Sequence, residues 1–83
     1  MKLVYFAWVR ERIGAAEEEI ELPPGVATVR DLLQWLQGRG EGYREALRHP
    51  EIIRVAIDRE HAGHDEKLGP AREVALFPPM TGG

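Results

Sequence analysis

The segment TVRDLLQWLQG, residues 28–38, contains the clearest helix signal in the sequence. Its apolar residues recur at the i, i+3, i+4, i+7 spacing that places side chains on one side of a helix: Val29, Leu32, Leu33 and Leu36. Thr28 is a favourable N-cap with the carboxylate of Asp31 three residues on, and Gly38 is suited to the C′ position. The segment therefore predicts one amphipathic helix over residues 29–37 that packs against a core.

Two apolar segments precede this helix. Residues 2–9 are predicted to form a first strand, and residues 18–22 alternate as an antiparallel return strand. The polar residues 10–16 connect them, with a turn at Gly14. Both faces of the first strand are apolar, and one of these faces combines Val4, Phe6 and Trp8. Such a strand is either central in its sheet or covered on one face by a partner.

Two further strands are predicted after the helix. Residues 52–58 and 73–77 alternate as strands, and the charged connection between them is expected to hold a short edge strand around His61. Residues 43–48 are predicted to form a short helix that Pro50 ends.

This order of elements predicts an α+β fold. A hairpin followed by one main helix that packs across one face of a mixed, twisted sheet is the β-grasp, or ubiquitin-like, arrangement. We expect residues 1–77 to form this domain and residues 78–83 to form an extended C-terminal tail.

Composition narrows the possible functions. The 83 residues suffice for one domain, and they include no Cys, which excludes disulfides, thiolate zinc sites and cysteine nucleophiles. The net charge of −3 is interspersed along the chain, so there is no electrostatic signature of nucleic-acid or membrane binding. No segment resembles a signal peptide or a membrane span. A cytoplasmic protein that acts with a protein partner is expected.

The C-terminal tail is the most distinctive functional segment. Pro78 and Pro79 cannot extend a strand, because proline has a fixed φ and no N–H donor, so the chain should leave the sheet there. Gly82 and Gly83 have no Cβ and could follow a channel too narrow for a side chain. The carboxylate of Gly83 is their one reactive group.

Other candidate sites in the sequence are weaker. His61 and His64 lie among acidic residues, which raises a metal-site hypothesis, but a loop does not hold two histidines on one face as a helix would. We therefore interpret the segment as a solvated turn and predict no metal. Because Ser and Cys are absent, no nucleophilic triad of the usual kind is available, and the glycine-rich residues 38–42 lack the ending of a P-loop.

Two segments carry a family resemblance. FAWVRE at residues 6–11 and FPPMTGG at residues 77–83 are similar to the small, sulfur-carrier subunit of molybdopterin synthase, a ubiquitin-like β-grasp family. The resemblance covers the whole chain. The FPPxTGG ending is its most specific part, because many ubiquitin-like chains share only the two glycines.

The resemblance implies a mechanism that needs other proteins. An E1-like adenylating enzyme would use ATP to activate the Gly83 carboxylate, and a sulfur donor protein would then supply sulfur to form a thiocarboxylate. The tail would enter the large synthase subunit, in a heterotetramer of two small and two large subunits. There it would donate sulfur to cyclic pyranopterin monophosphate to build the molybdopterin dithiolene. The chain alone would be catalytically inert and would bind no cofactor.

The resemblance also implies docking residues. Phe6 and Phe77 match apolar positions that contact the partners, Arg10 matches a charged position beside them, and Trp8 departs from a site that is often polar. The tail residues Pro78, Pro79, Met80 and Thr81 complete the expected partner-binding set.

Two alternatives remain open. The chain could carry sulfur for another pathway, such as thiazole, cysteine or thio-nucleoside synthesis. It could instead be a ubiquitin-like modifier that is joined through Gly83 to lysines of other proteins.

Overall fold

The computed structural model describes residues 1–79 and shows a five-stranded mixed sheet in the order β2-β1-β5-β3-β4. The strands are β1 (Lys2–Tyr5), β2 (Glu17–Glu19), β3 (Arg54–Ile57), β4 (Glu60–Ala62) and β5 (Glu73–Phe77). β1 and β5 are parallel, and the other three pairs are antiparallel. With helices packed against this sheet, the α+β, ubiquitin-like β-grasp class is confirmed.

The main helix, α2 (Val29–Gln37), has the predicted bounds. Its N-terminus is a capping box, in which the Asp31 backbone N–H donates to Thr28 Oγ1 at 3.2 Å and Asp31 Oδ2 accepts from the Thr28 backbone N–H at 3.1 Å. The helix ends at Gly38 with φ −84°, so the left-handed C′ conformation that glycine favours is not used. None of the helices within residues 1–79 is long and apolar enough to cross a membrane.

The core lies between α2 and one face of the sheet. The whole predicted apolar stripe of α2 is buried, and it packs with inward-facing strand residues that include Leu3, Tyr5, Val55, Val74 and Leu76. Because successive strand side chains alternate between faces, the neighbours of these residues point to the opposite face of the sheet.

The prediction of one strand over residues 2–9 is wrong. β1 ends at Tyr5, and residues from Ala7 onward form α1 (Ala7–Ile13), which is followed by Gly14 in the left-handed conformation at φ 88°. Ala7 itself has φ 51°, so the chain changes direction sharply between strand and helix. Val9 is buried and Ile13 packs against the core one turn later, which is a helical spacing. The apolar alternation of residues 3–9 favoured a strand instead and hid this spacing.

Three other predicted boundaries also shift. The return strand β2 starts one residue earlier than predicted and ends at Glu19, and Ile20 still exchanges backbone hydrogen bonds with Met1 beyond its end. The short helix is α3 (Glu41–Ala46), two residues earlier than predicted, and Pro50 starts a 3₁₀ turn rather than ending a helix. Gly42 allows α3 to approach α1 closely, since a Cβ there would lie 2.6 Å from the Arg12 carbonyl oxygen.

β3, β4 and β5 agree better with the predicted strands. β5 has the predicted bounds, β3 is a shorter form of the predicted strand, and β4 is the edge strand expected around His61. Asp58 and Arg59, at φ 47° and 72°, form the two-residue turn between β3 and β4. The Asp58 carboxylate also accepts 3.0 Å hydrogen bonds from the backbone N–H groups of Arg72 and Glu73, which ties this turn to the start of β5.

Candidate functional site

The sheet face opposite the helices is apolar at its centre, and we call it the open face. Strand register places four residues in one row across it, in the order Val4, Ala75, Ala56 and His61. Phe77 lies two residues further along β5, and Phe6 follows the end of β1 beside it. No described helix covers this face, so it is the region of the domain best suited to a protein partner.

Three rings meet at the end of the open face from which the tail leaves. The Phe6 and Phe77 ring centroids lie 6.5 Å apart at an interplanar angle of 82°, and the His61 and Phe77 centroids lie 5.5 Å apart at 78°. These edge-to-face contacts define the aromatic cluster. Phe6 is 48% exposed, although it is one of the largest apolar side chains in the protein. The structure therefore brings the two predicted docking phenylalanines together, and their docking role stays a prediction.

Trp8 does not belong to the open face, contrary to the sequence interpretation. The chain turns into α1 after Phe6, so strand alternation no longer applies to Trp8. Its indole lines a groove between α1 and α3, with the Arg12 guanidinium carbon 4.4 Å from the ring centroid. Arg10 lies on the exposed side of α1, one turn after Phe6.

The tail starts next to the aromatic cluster. β5 ends at Phe77, as the two prolines predicted, and Pro78 and Pro79 continue outside the sheet in half-buried positions. Pro79 lines a cavity with residues of β3 and β4, including Arg54 and His61. The other predicted tail residues, Met80, Thr81, Gly82 and Gly83, lie outside the described residues.

Residues 3–83 match the ThiS family. The chain belongs to the ThiS family. It is 31% identical over 83 residues to the molybdopterin synthase sulfur carrier subunit of Escherichia coli (strain K12), covering 100% of this chain and 99% of that protein. The resemblance inferred from FAWVRE and FPPMTGG is thereby confirmed.

Solved structures of two archaeal proteins share the fold of this ThiS family chain. One is described as subunit 1 of a molybdopterin converting factor from Pyrococcus furiosus, with a TM-score of 0.73, 33% identity and 95% coverage of both chains. The other is the small archaeal modifier protein 1 of Haloferax volcanii, with a TM-score of 0.71, 29% identity and coverage of 96% of this chain and 97% of that one.

The two histidines that raised the metal hypothesis have different environments in this ThiS family chain. His61 lies against Phe77, whereas the His64 ring donates a 2.8 Å hydrogen bond from Nε2 to the carbonyl oxygen of Ile53, since that oxygen can only accept. Within residues 1–79, no group of three or more potential metal ligands is placed to hold an ion.

A polar network between the sheet and α3 was not predicted. Glu18 Oε2 accepts hydrogen bonds from the hydroxyls of Tyr5, at 2.7 Å, and Tyr43, at 2.5 Å, while Arg39 Nη1 lies 3.1 Å from Glu18 Oε1. Nothing in the local sequence signals the network, because Glu18 is separated from its partners by 13 to 25 residues. The network joins β1 and β2 to α3 and the loop before it.

The network shifts the pKa values of its members. Burial, followed by the hydrogen bond to Glu18, raises the pKa of Tyr5 far above its usual range. Burial would by itself raise the pKa of Glu18, but the hydrogen bonds from Tyr43 and Tyr5 and the positive charge of Arg39 outweigh it and lower that pKa. Glu18 is therefore ionised, and all its partners in the network form hydrogen bonds with it. This arrangement stabilises the fold and does not indicate a catalytic role.

Proposed function

We propose that this ThiS family chain is the sulfur-carrier subunit of a molybdopterin synthase. The structural observation that carries the proposal is the exposed aromatic cluster of Phe6, Phe77 and His61 directly beside the start of the Gly-Gly tail. A docking face next to a thin reactive tail is what a carrier needs, because it must be held by its partner while its last residues react. The full-length match to a protein named as such a carrier supports the same conclusion.

In this proposal the chemistry takes place at the Gly83 carboxylate. A carboxylate is a poor electrophile, so an E1-like enzyme first joins it to the α-phosphate of ATP and releases pyrophosphate. Hydrosulfide (HS⁻) delivered by the donor protein then attacks the acyl carbon and displaces AMP, which leaves with one of the original carboxylate oxygens, and loss of the S–H proton gives the thiocarboxylate. In the large subunit the thiocarboxylate sulfur forms a C–S bond at a carbon of the pyranopterin precursor and displaces the phosphate or hydroxyl oxygen on that carbon. Hydrolysis of the acyl–sulfur bond then returns the Gly83 carboxylate and leaves the sulfur on the pterin, so two carriers are consumed for each dithiolene.

The length of the tail limits where the reaction occurs. Gly83 is the sixth residue after Phe77, and an extended chain spans about 3.3 Å per residue, so Gly83 reaches at most about 20 Å from the docking face. The partner's reaction site must therefore lie within about 20 Å of the surface that binds Phe77. The lack of side chains at Gly82 and Gly83 suits a narrow channel between the two.

The proposal is tested by reconstituting molybdopterin synthesis from the chain, the large subunit, the activating enzyme, the sulfur donor and ATP. Deleting Gly83 should abolish synthesis, because the remaining terminus is too short to bring its carboxylate to the reaction site. A matched Gly63→Ala variant should retain full activity, since a Cβ at Gly63 meets nothing within 4 Å. Normal synthesis by the Gly83 deletion would overturn the proposal.

A second candidate function is protein modification, and the likeness to the small archaeal modifier protein 1 favours it specifically. A modifier uses the same activated Gly83 carboxylate, but the nucleophile is the amine of a lysine on another protein. Mass spectrometry of tryptic peptides from the source organism separates the two functions. Isopeptide adducts of this tail on lysines would support modification, and their absence from cells that make molybdopterin would leave the carrier function alone.

A further inference from the structure

We propose that the groove between α1 and α3 binds a carboxylate side chain of the large synthase subunit, as a second contact beside the open face. The inference rests on the proposed function, which supplies the partner. We call this surface the Trp8–Arg12 groove. It has a volume of about 460 Å³ and is lined by Trp8, Arg12, Glu45, Ala46, Arg48, His49 and Ile52.

The Arg12 guanidinium is in contact with an aromatic ring on its own helix. It lies over the Trp8 ring, with 4.4 Å between the guanidinium carbon and the ring centroid, at the i, i+4 spacing of neighbours on α1. A guanidinium is planar and carries its N–H donors along its edge. Such a planar fork matches the geometry of a carboxylate.

The charge balance of the groove also favours a carboxylate as its ligand. Arg48 Nη2 lies 2.5 and 2.6 Å from the two carboxylate oxygens of Glu45, so the acidic residue of the groove is already paired. Within residues 1–79, Arg12 forms no ion pair. The groove therefore presents one unpaired cation on a chain whose net charge is −3. One unpaired guanidinium fits one carboxylate, whereas a polyanion would require several cations.

The groove is next to the cavity that the start of the tail lines. Ile52 is 41% exposed, and it lines both the Trp8–Arg12 groove and the neighbouring cavity that contains Pro79. Ile52 and Phe6 are also the two large apolar side chains that the described residues expose most. A protein that receives the tail therefore passes close to Ile52 and reaches the groove without a large additional surface.

The test measures the affinity of the purified large subunit from the same source by titration calorimetry at low and high salt. Arg12→Gln should weaken binding about tenfold and reduce the salt dependence of the dissociation constant, because an ion pair at the interface is lost. Arg12→Lys should recover only part of this affinity, since an ammonium keeps the charge but not the planar fork. Arg72→Gln is the control. It also removes one positive charge, but just before the start of β5 and away from Phe77, so the dissociation constant and its salt dependence should not change.

The outcomes separate this inference from the function on which it rests. If Phe77→Ala weakens binding while Arg12→Gln binds like the wild type at both salt concentrations, the groove inference is wrong and the docking of the open face stands. Full recovery by Arg12→Lys would contradict a guanidinium-specific contact. If the wild-type chain does not bind the large subunit at all, the proposed function fails and the groove inference fails with it. Unchanged thermal unfolding of each variant shows that the fold is intact.

Discussion

The two faces of the sheet differ in how far this chain covers their apolar side chains. Tyr5 and Leu76 point toward α2 and are 1% and 0% exposed, whereas their immediate neighbours Phe6 and Phe77 point to the other side and remain partly uncovered. On the covered face, apolar side chains are buried and polar groups form hydrogen bonds within this chain. The open face presents apolar rings that this chain does not bury. Substitutions on the covered face should therefore change the free energy of unfolding, and substitutions on the open face should change partner binding.

The largest expected effect is on the covered face. Leu76→Ala should lower the free energy of unfolding by about 2–5 kcal/mol, because it leaves a cavity at a fully buried position in β5. Urea denaturation measures this change. The adjacent Phe77→Ala should cost only about 1 kcal/mol in the same experiment, since part of that ring is already in water. Equal losses for the two variants would remove the distinction between the faces.

Substitutions on the open face should instead weaken binding to the partner. Phe77→Ala should weaken association with the large subunit by about 2 kcal/mol or more, as expected for an aromatic residue at the centre of an interface. Phe6→Glu should act in the same direction, because it places a charge within the aromatic cluster. Calorimetry with the purified large subunit measures both, and unchanged affinity would show that the open face is not the docking face.

A third substitution examines how tightly the helices pack on the covered side. Gly42→Ala should cost about 1–3 kcal/mol of unfolding free energy, because its Cβ would lie 2.6 Å from the Arg12 carbonyl oxygen and would push α3 away from α1. Gly63→Ala is the matched control, with open space around the added methyl group. A Gly42→Ala variant as stable as this control would mean that α1 and α3 are not closely packed.

The smallest effect concerns acid stability. Because the folded-state pKa of Glu18 is lowered, its contribution to stability is present above the ordinary glutamate pKa of about 4.3 and is lost as the pH falls through the lowered value. Glu18→Gln should cost about 1 kcal/mol at neutral pH and should flatten the loss of stability in acid. Urea denaturation between neutral and acidic pH measures this, and identical pH profiles for the two proteins would contradict it.

The elements with a strong local pattern were predictable from the sequence. The stripe, N-cap and Asp31 carboxylate of α2 all indicate the same helix, and its bounds are confirmed. β5 was equally clear, because Pro78 fixes its end. The family resemblance assigned Phe6 and Phe77 individually to docking positions, but it did not predict the contact between their rings that the structure shows.

The regions that prediction missed depend on tertiary structure. Residues 7–9 continue the apolar alternation of β1, and a short apolar run does not distinguish a strand from a helix. α1 is recognised only from the packing of Val9 and Ile13 on the core, which the sequence does not show. Because residues 7–9 were predicted as part of a strand, Trp8 was wrongly assigned to the open face. The Glu18 network joins residues distant in sequence, so no local pattern could have indicated it.

The central claim is that Gly83 carries sulfur while the rest of the chain holds and presents it. The most direct measurement is the intact mass of the full chain after co-expression with its activating enzyme and sulfur donor, followed by fragmentation of the C-terminal peptide. If Gly83 carries sulfur, the mass increases by the difference between one sulfur and one oxygen, and fragmentation locates this increase at Gly83. An unmodified C-terminus in a chain that nevertheless supports full molybdopterin synthesis would contradict it.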